Sequence, residues 1–251
     1  MIVYKSPEEI DRMHRAGRVT ALTIERLLEA VRPGVTTADL DELAEKSMRA
    51  EGCTPSFKGY RGFPASICTS LNDQVVHGIP SPRWVLREGD LLSLDVGAVW
   101  EGYHGDSAVS LFVGSSPSDV AEKLVRVTEE SLDAGISQIK SGGHLSDIGS
   151  AVQQVVEGAG FSVVREYVGH GVGRALHEDP QIPNYGEPGR GPVMKPGLVV
   201  AVEPMVNVGD WRTRVLADGW TVVTADGSLS AHFEHTIAVT AEGVEVLTAR
   251  S

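Results

Sequence analysis

Cysteine, positive charge and long apolar runs are all scarce in this chain. Two cysteines in 251 residues, Cys53 and Cys68, cannot build a disulfide framework, and a reducing compartment fits better. Lys and Arg number 22 against 34 Asp and Glu, a formal charge of −12. That balance excludes the clustered positive field on which direct nucleic-acid binding rests, and it suits a protein that spends carboxylates on cations. No stretch approaches the roughly 18 consecutive apolar residues that a membrane helix needs. The opening Met1-Ile2-Val3-Tyr4-Lys5 carries no cleavage signature. The expectation is a soluble cytoplasmic protein without membrane contact. Hydrophobic residues at 41% and charged residues at 22% are ordinary for a globular enzyme.

What the chain does have is an internal repeat. Ser6-Pro7-Glu8-Glu9 offers an N-cap, a proline at N1 and an acid at N3, and opens a helix running through Leu27 and Leu28 towards Arg32-Pro33-Gly34. Ser116-Pro117-Ser118-Asp119 offers the same parts ahead of a helix through Ile136 and Ile139. A shorter helix follows each: one led by Thr37-Ala38-Asp39-Leu40 and ending at Gly52, one led by Leu145-Ser146-Asp147-Ile148 and ending at Gly160. Each then gives way to a strand-rich region. No long linker separates the halves, so the pattern predicts one catalytic domain over 1–251 with a pseudo-repeat of roughly 1–115 and 116–251. A cleft between two such halves is a natural place for a site.

Acids fall at matching places in the halves. In Leu91-Leu92-Ser93-Leu94-Asp95-Val96, the alternation of Leu92, Leu94 and Val96 marks one strand face and leaves Asp95 on the other. A turn near Trp100-Glu101 folds the chain back so that Asp106 lies directly opposite Asp95, at a Cβ separation of roughly 5 Å. Like charges there destabilise a sheet unless a cation bridges them; taken alone, one aspartate could equally be an exposed turn residue. Glu203 ends the apolar run Leu198–Val202, 108 positions after Asp95. Glu234 lies on the second strand of a predicted hairpin in which Trp220–Thr224 and Ser228–Glu234 flank the turn Ala225-Asp226-Gly227. His170, in Gly169-His170-Gly171-Val172-Gly173, is read as ending a strand in a glycine-rich turn that lets a ligand approach. A lone histidine is more often structural than ligating, but four acids and small neighbours favour ligation. Four carboxylates and one imidazole are too many, and too rich in oxygen, for a structural zinc. They suit two divalent ions, with Co, Mn, Fe and Zn all compatible, which together activate water for hydrolysis.

These strings, with Asn72-Asp73-Gln74-Val75-Val76-His77-Gly78-Ile79-Pro80, Tyr103-His104-Gly105-Asp106, Glu203-Pro204-Met205-Val206-Asn207 and Phe233-Glu234-His235-Thr236, resemble the signatures of type I methionine aminopeptidases of peptidase family M24. The resemblance covers nearly the whole chain in order and spacing. It implies the pita-bread fold, an α/β (α+β) pseudo-twofold arrangement of helices around a curved antiparallel sheet. It implies that Asp95, Asp106, His170, Glu203 and Glu234 hold the metals, with Glu203 also general base and acid. His177 would donate to the oxyanion, and His77 would contact the scissile nitrogen or leaving amine. Tyr60, Phe63, Cys68, Leu176 and Trp220 would form the methionine pocket, with Phe63, Leu176, Arg61 and His232 departing from common family residues. Asn72 and Ser230 match positions that hold a monovalent cation in some relatives. The implied activity is removal of the first methionine from nascent proteins with a small second residue, by a monomer that meets the ribosome transiently. Two alternatives accompany it: an X-Pro-type aminopeptidase, and a non-catalytic pita-bread protein that only binds peptides.

Overall fold

Local signals place the helices. In the computed structural model, which describes residues 1–250, four helices form: α1 (Pro7–Ala30), α2 (Thr37–Ala50), α3 (Asp119–Ser137) and α4 (Leu145–Gly158). At the start of α1 the Ser6 hydroxyl accepts from the Glu9 amide while the Glu9 carboxylate accepts from the Ser6 amide, a reciprocal cap that satisfies two otherwise orphaned donors. Thr36 and Asp39 do the same for α2. The α3 cap differs from the expected one. Ser118, not Ser116, accepts from the Ala121 amide, so Pro117 stands outside the helix rather than at its first position, and Ile139 lies past its end.

Two strands dominate the first half. Leu91–Trp100 and Tyr103–Phe112 pair along their full lengths around Glu101-Gly102, whose φ values of 48° and 80° make the left-handed two-residue turn that matches strand twist. The tightness of that turn corrects the expected register. Trp100 pairs with Tyr103, so Asp95 faces Ala108 and Asp106 faces Gly97. The two aspartates are therefore diagonal neighbours, still on one face because the shift is an even number of residues.

The repeat recurs in the pairing itself. The isolated bridge Thr36↔Val85 returns as His144↔Val193, and the pairing of Thr54-Pro55 with Val99-Ala98 returns as Ser162-Val163 with Asn207-Val206. Every residue in the second set stands 108 positions after its counterpart (36 to 144, 85 to 193, 54 to 162, 99 to 207). This is a pseudo-twofold α/β architecture with its helices outside antiparallel sheets. α1 packs on the long hairpin and α2, and α3 packs on α4. The main core joins Leu27 and Leu40 of the helices to Ile67, Leu92 and Leu94 of one half and Val200, Val202 and Ile237 of the other. Burying each of those Leu, Ile and Val side chains contributes about 1.5–3 kcal/mol.

Two further expectations are corrected. The turn at Ala225–Gly227 does not close a hairpin. Val222–Thr224 pairs with Thr213–Val215 and Gln74–Val76, while Ser230–His232 pairs with Met205–Asn207 in another sheet. The Asp226 carboxylate instead accepts from the Asp210 amide, tying the turn to a neighbouring loop. His170 sits not in a turn but in a short interior strand, Gly169–Gly171, between Glu178–Ile182 and Val199–Val202. Its flanking glycines serve backbone approach: a Cβ on Gly169 would strike the Ala201 carbonyl, and one on Gly171 the Asp179 carbonyl.

Candidate active site

The seam between the halves carries the chemistry. Ala108 and Glu234 exchange both backbone hydrogen bonds across it, and the Thr236 hydroxyl accepts from the Asp106 amide at 2.9 Å and donates to its carbonyl at 2.7 Å. Asp106 and Glu234 are thereby held at one place from opposite halves of the chain. His170 reaches them from the strand Gly169–Gly171: Asp106, His170 and Glu234 each offer a ligand atom within 4.8 Å of the others, and all three are buried. Its Nε2 lies 3.4 Å from Glu203 Oε1 and 3.9 Å from Asp106 Oδ2, while its Nδ1 meets the Gly171 carbonyl at 2.9 Å. Asn184 supports Glu203 by donating to its backbone carbonyl at 2.9 Å. Asp95 completes the floor, paired across the strands with Cys68.

This arrangement is costly for the bare protein. Burial raises the pKa of Asp95, Asp106, Glu203 and Glu234, and for the last three the neighbouring aspartates raise it further; Asp95 moves to about 7. Asp95 Oδ1, Asp106 Oδ1 and Glu234 Oε1 are buried with no hydrogen-bond partner. Orphaned, mutually repelling carboxylate oxygens beside an imidazole whose pKa burial lowers to about 3 are a donor set that fits hard divalent cations. A cation reverses the sign of every repulsion on that floor.

Above the floor the wall turns apolar. A cavity of about 150 Å³ is lined by the clustered apolar side chains of Phe57, Tyr60, Phe63, Cys68, Leu176 and Trp220, by the five ligand candidates, and by Arg61, His77 and His177. A space of that size takes a benzene-sized group. Phe63 meets Trp220 edge-on at 5.1 Å, and His77 meets Trp220 at 6.3 Å and Tyr167 at 5.8 Å. His77, just past the strand Gln74–Val76, holds a left-handed backbone, φ 60°, which is uncommon for a residue other than glycine. His177 stacks on Tyr60 with its Nδ1 2.9 Å from the Tyr60 hydroxyl, and its ring lies 4.1 Å from that of His170. Burial brings the pKa of His77 and His177 down to about 4. The Cys68 thiol is buried, which raises its pKa and leaves it a neutral wall group.

All the residues expected to bind metal or substrate thus meet in one cavity. Asn72 and Ser230 lie apart from it, adjacent to each other: the Ser230 amide donates to the Asn72 carbonyl, and the Asn72 side chain is engaged by Asp90 and the Leu91 amide. Reading along the chain did not single out Phe57 as a wall residue, nor Asn184 and Thr236 as supports. No local pattern marks them, because each is defined by a partner far away in sequence.

An imidazole and four carboxylates lining a cavity that is otherwise largely apolar, on the seam of a pita-bread fold, define a metal-dependent peptidase. Residues 11–241 match metallopeptidase family M24, and the chain belongs to that family. It is 55% identical over 248 residues to methionine aminopeptidase 1 of Bacillus subtilis, with 99% of each chain covered. The solved structure of a methionine aminopeptidase from Thermotoga maritima superposes with a TM-score of 0.97 at 48% identity, covering 100% of both chains. A prolidase from Pyrococcus furiosus shares the fold at a TM-score of 0.79 and 21% identity, with 99% of this chain and 66% of that one covered.

Proposed function

We propose that this chain is a methionine aminopeptidase that removes the first methionine from nascent proteins whose second residue is small. The observation that carries the reading is the joining of a carboxylate–imidazole floor to an apolar wall in one cavity of about 150 Å³. Asp95, Asp106, His170, Glu203 and Glu234 would hold two divalent ions, drawn from Co, Mn, Fe and Zn. Such a pair, when bound, polarises a carbonyl and acidifies water near neutral pH.

The chain's own residues do the rest. Glu203, partly open to the cavity, takes the proton of the attacking water and returns it to the leaving amine. His177 Nδ1 and the Tyr60 hydroxyl are hydrogen-bonded; with the hydroxyl as donor, the proton of the neutral ring sits on Nε2, free to donate to the tetrahedral oxyanion. His77 contacts the scissile nitrogen and then the leaving amine. Tyr60, Phe63, Cys68, Leu176 and Trp220, joined by Phe57, enclose the methionine side chain and exclude water. The two pseudo-repeats act as a single catalytic unit, since each supplies two of the acids. The working context we propose is a cytoplasmic monomer in transient contact with the ribosome, with a monovalent cation beside Asn72 and Ser230.

Metal-stripped protein titrated with Mn, Fe, Co and Zn tests the reading on Met-Ala-Ser and Ala-Pro-Ala side by side. Release of methionine that rises to a plateau with metal is the expected result. Cleavage of Ala-Pro-Ala alone would transfer the assignment to the X-Pro-type enzymes, and binding of peptide without cleavage under any metal would leave a peptide-binding protein.

A further inference from the structure

The residues around the cavity are graded from floor to rim. Asp106, His170 and Glu234 are buried, Tyr60, His77 and Trp220 are half-buried, and among the lining residues only Arg61 and His177 are exposed. A peptide with its first side chain in the apolar end and its first peptide bond over the carboxylates must leave the cavity past that rim. Arg61 stands there with a left-handed backbone, φ 48°, and its guanidinium lies over the Tyr60 ring at 5.3 Å. Tyr60 in turn holds His177, so the cation is seated on the same unit that carries the proposed oxyanion donor. Among the described residues Arg61 has no carboxylate partner of its own.

Charge counting sets what the rim would select. The lining residues of fixed sign are the acids Asp95, Asp106, Glu203 and Glu234 and the single cation Arg61. Two divalent ions on the floor cancel the four carboxylates, which leaves Arg61 as the uncompensated charge facing the departing chain. Any imidazole that took up a proton would add charge of the same sign. The rest of the molecule carries a large negative excess, −12 in all, so this one point of opposite sign stands out at the mouth.

We propose that Arg61 sets a preference in the chain beyond the cleaved bond, favouring peptides that carry a carboxylate there, as an acidic side chain or a free C terminus, over peptides that carry a cation. The inference rests on the methionine aminopeptidase reading and adds the class of sequence that the site accepts best. The contact is made equally in the bound substrate and in the transition state, so it acts on KM and leaves kcat nearly alone. An exposed ion pair changes kcat/KM by about two- to fivefold, and salt screens it.

The metal-loaded enzyme is assayed on Met-Ala-Asp-amide, Met-Ala-Ser-amide and Met-Ala-Lys-amide, and on Met-Ala-Ser with its free C terminus. Wild type should favour the aspartyl peptide, and the free acid over its amide, by about two- to fivefold each, with the difference in KM and fading in high salt. Arg61→Lys should keep the order, Arg61→Gln should flatten it and Arg61→Glu should invert it; thermal melts alongside confirm that each variant is folded. A preference that survives Arg61→Gln and Arg61→Glu unchanged, or that wild type lacks, overturns the proposal. Failure of wild type to cleave even Met-Ala-Ser-amide would instead sink the parent reading, so the two failures are distinct. If only the free acid responds, the rim reads the C-terminal carboxylate of short peptides; if only the aspartyl side chain responds, it reads sequence. Either result sustains the proposal.

Discussion

At the scale of single residues, the site works through pairs in which one member is spent on holding the other. Tyr60 is half in the wall and half in the chemistry: its ring encloses the cavity and its hydroxyl meets His177 Nδ1. Replacing it with Phe keeps the ring and removes the hydrogen bond, so the Nδ1 and Nε2 protonation forms of His177 compete. Steady-state kinetics on Met-Ala-Ser should show kcat reduced by about three- to tenfold, the range of one neutral hydrogen bond, with KM little moved. An unchanged kcat would mean that His177 is oriented by something else. Glu203→Gln keeps shape and removes the proposed base. Loss of about 10²–10⁴ in kcat is expected, at the scale of general acid–base catalysis, while peptide binding followed by calorimetry should persist. Cys68 contrasts with both: buried and with its pKa raised, it should resist iodoacetamide at pH 8 in the native protein and react only on unfolding, as mass spectrometry would record.

At the scale of elements, the long hairpin is the ruler of the site. Its two-residue turn decides which residues face which, and the diagonal placement of Asp95 and Asp106 follows from that turn rather than from hydrophobic alternation, which is satisfied equally by either register. Helix α1 lies against this hairpin at a glycine–glycine contact. A Cβ on Gly105 would strike the Gly17 backbone, and one on Gly17 would strike the Leu247 carbonyl. Gly17→Ala should therefore drive the helix against the Leu247 backbone and cost about 1–3 kcal/mol as overpacking, in spite of the better helix propensity of alanine. Denaturant melts would measure it, and a stabilised variant would show that the helix can move aside freely. Local signals placed most element starts well, because caps are made by neighbours. They misplaced the α3 cap because two serines flank Pro117 and only packing chooses between them, and they produced a hairpin at Ala225–Gly227 because a good turn says nothing about which sheet each flanking strand will join.

At the scale of the whole molecule, charge on the floor links stability to pH and to metal. Burial raises the four carboxylates above their ordinary values of 3.8 and 4.5, so the folded metal-free protein holds their protons more tightly than the unfolded chain does. Their contribution to stability is whole below about pH 4 and is lost as pH rises towards the raised values, through about 7 for Asp95. Divalent cations remove that loss. The gap in melting temperature between metal-loaded and chelator-treated protein should accordingly widen from pH 5 to pH 8, and a gap independent of pH would mean that the carboxylates are not the groups the metal neutralises.

The sequence by itself determined the parts: four helices, a repeat offset of about 110 residues, and a set of acids and one histidine whose residue types already imply cations. These are properties of short strings and of their periodicity, and short-range physics is enough to read them. Only the tertiary structure decided the rest, which is the strand register, the interior-strand setting of His170, the place of Phe57 in the cavity wall, the grip of Thr236 on Asp106 and the place of Arg61 at the rim. Each of these is a meeting of groups tens to more than a hundred residues apart. Such meetings depend on how sheets twist and helices pack, which no local pattern along the chain records.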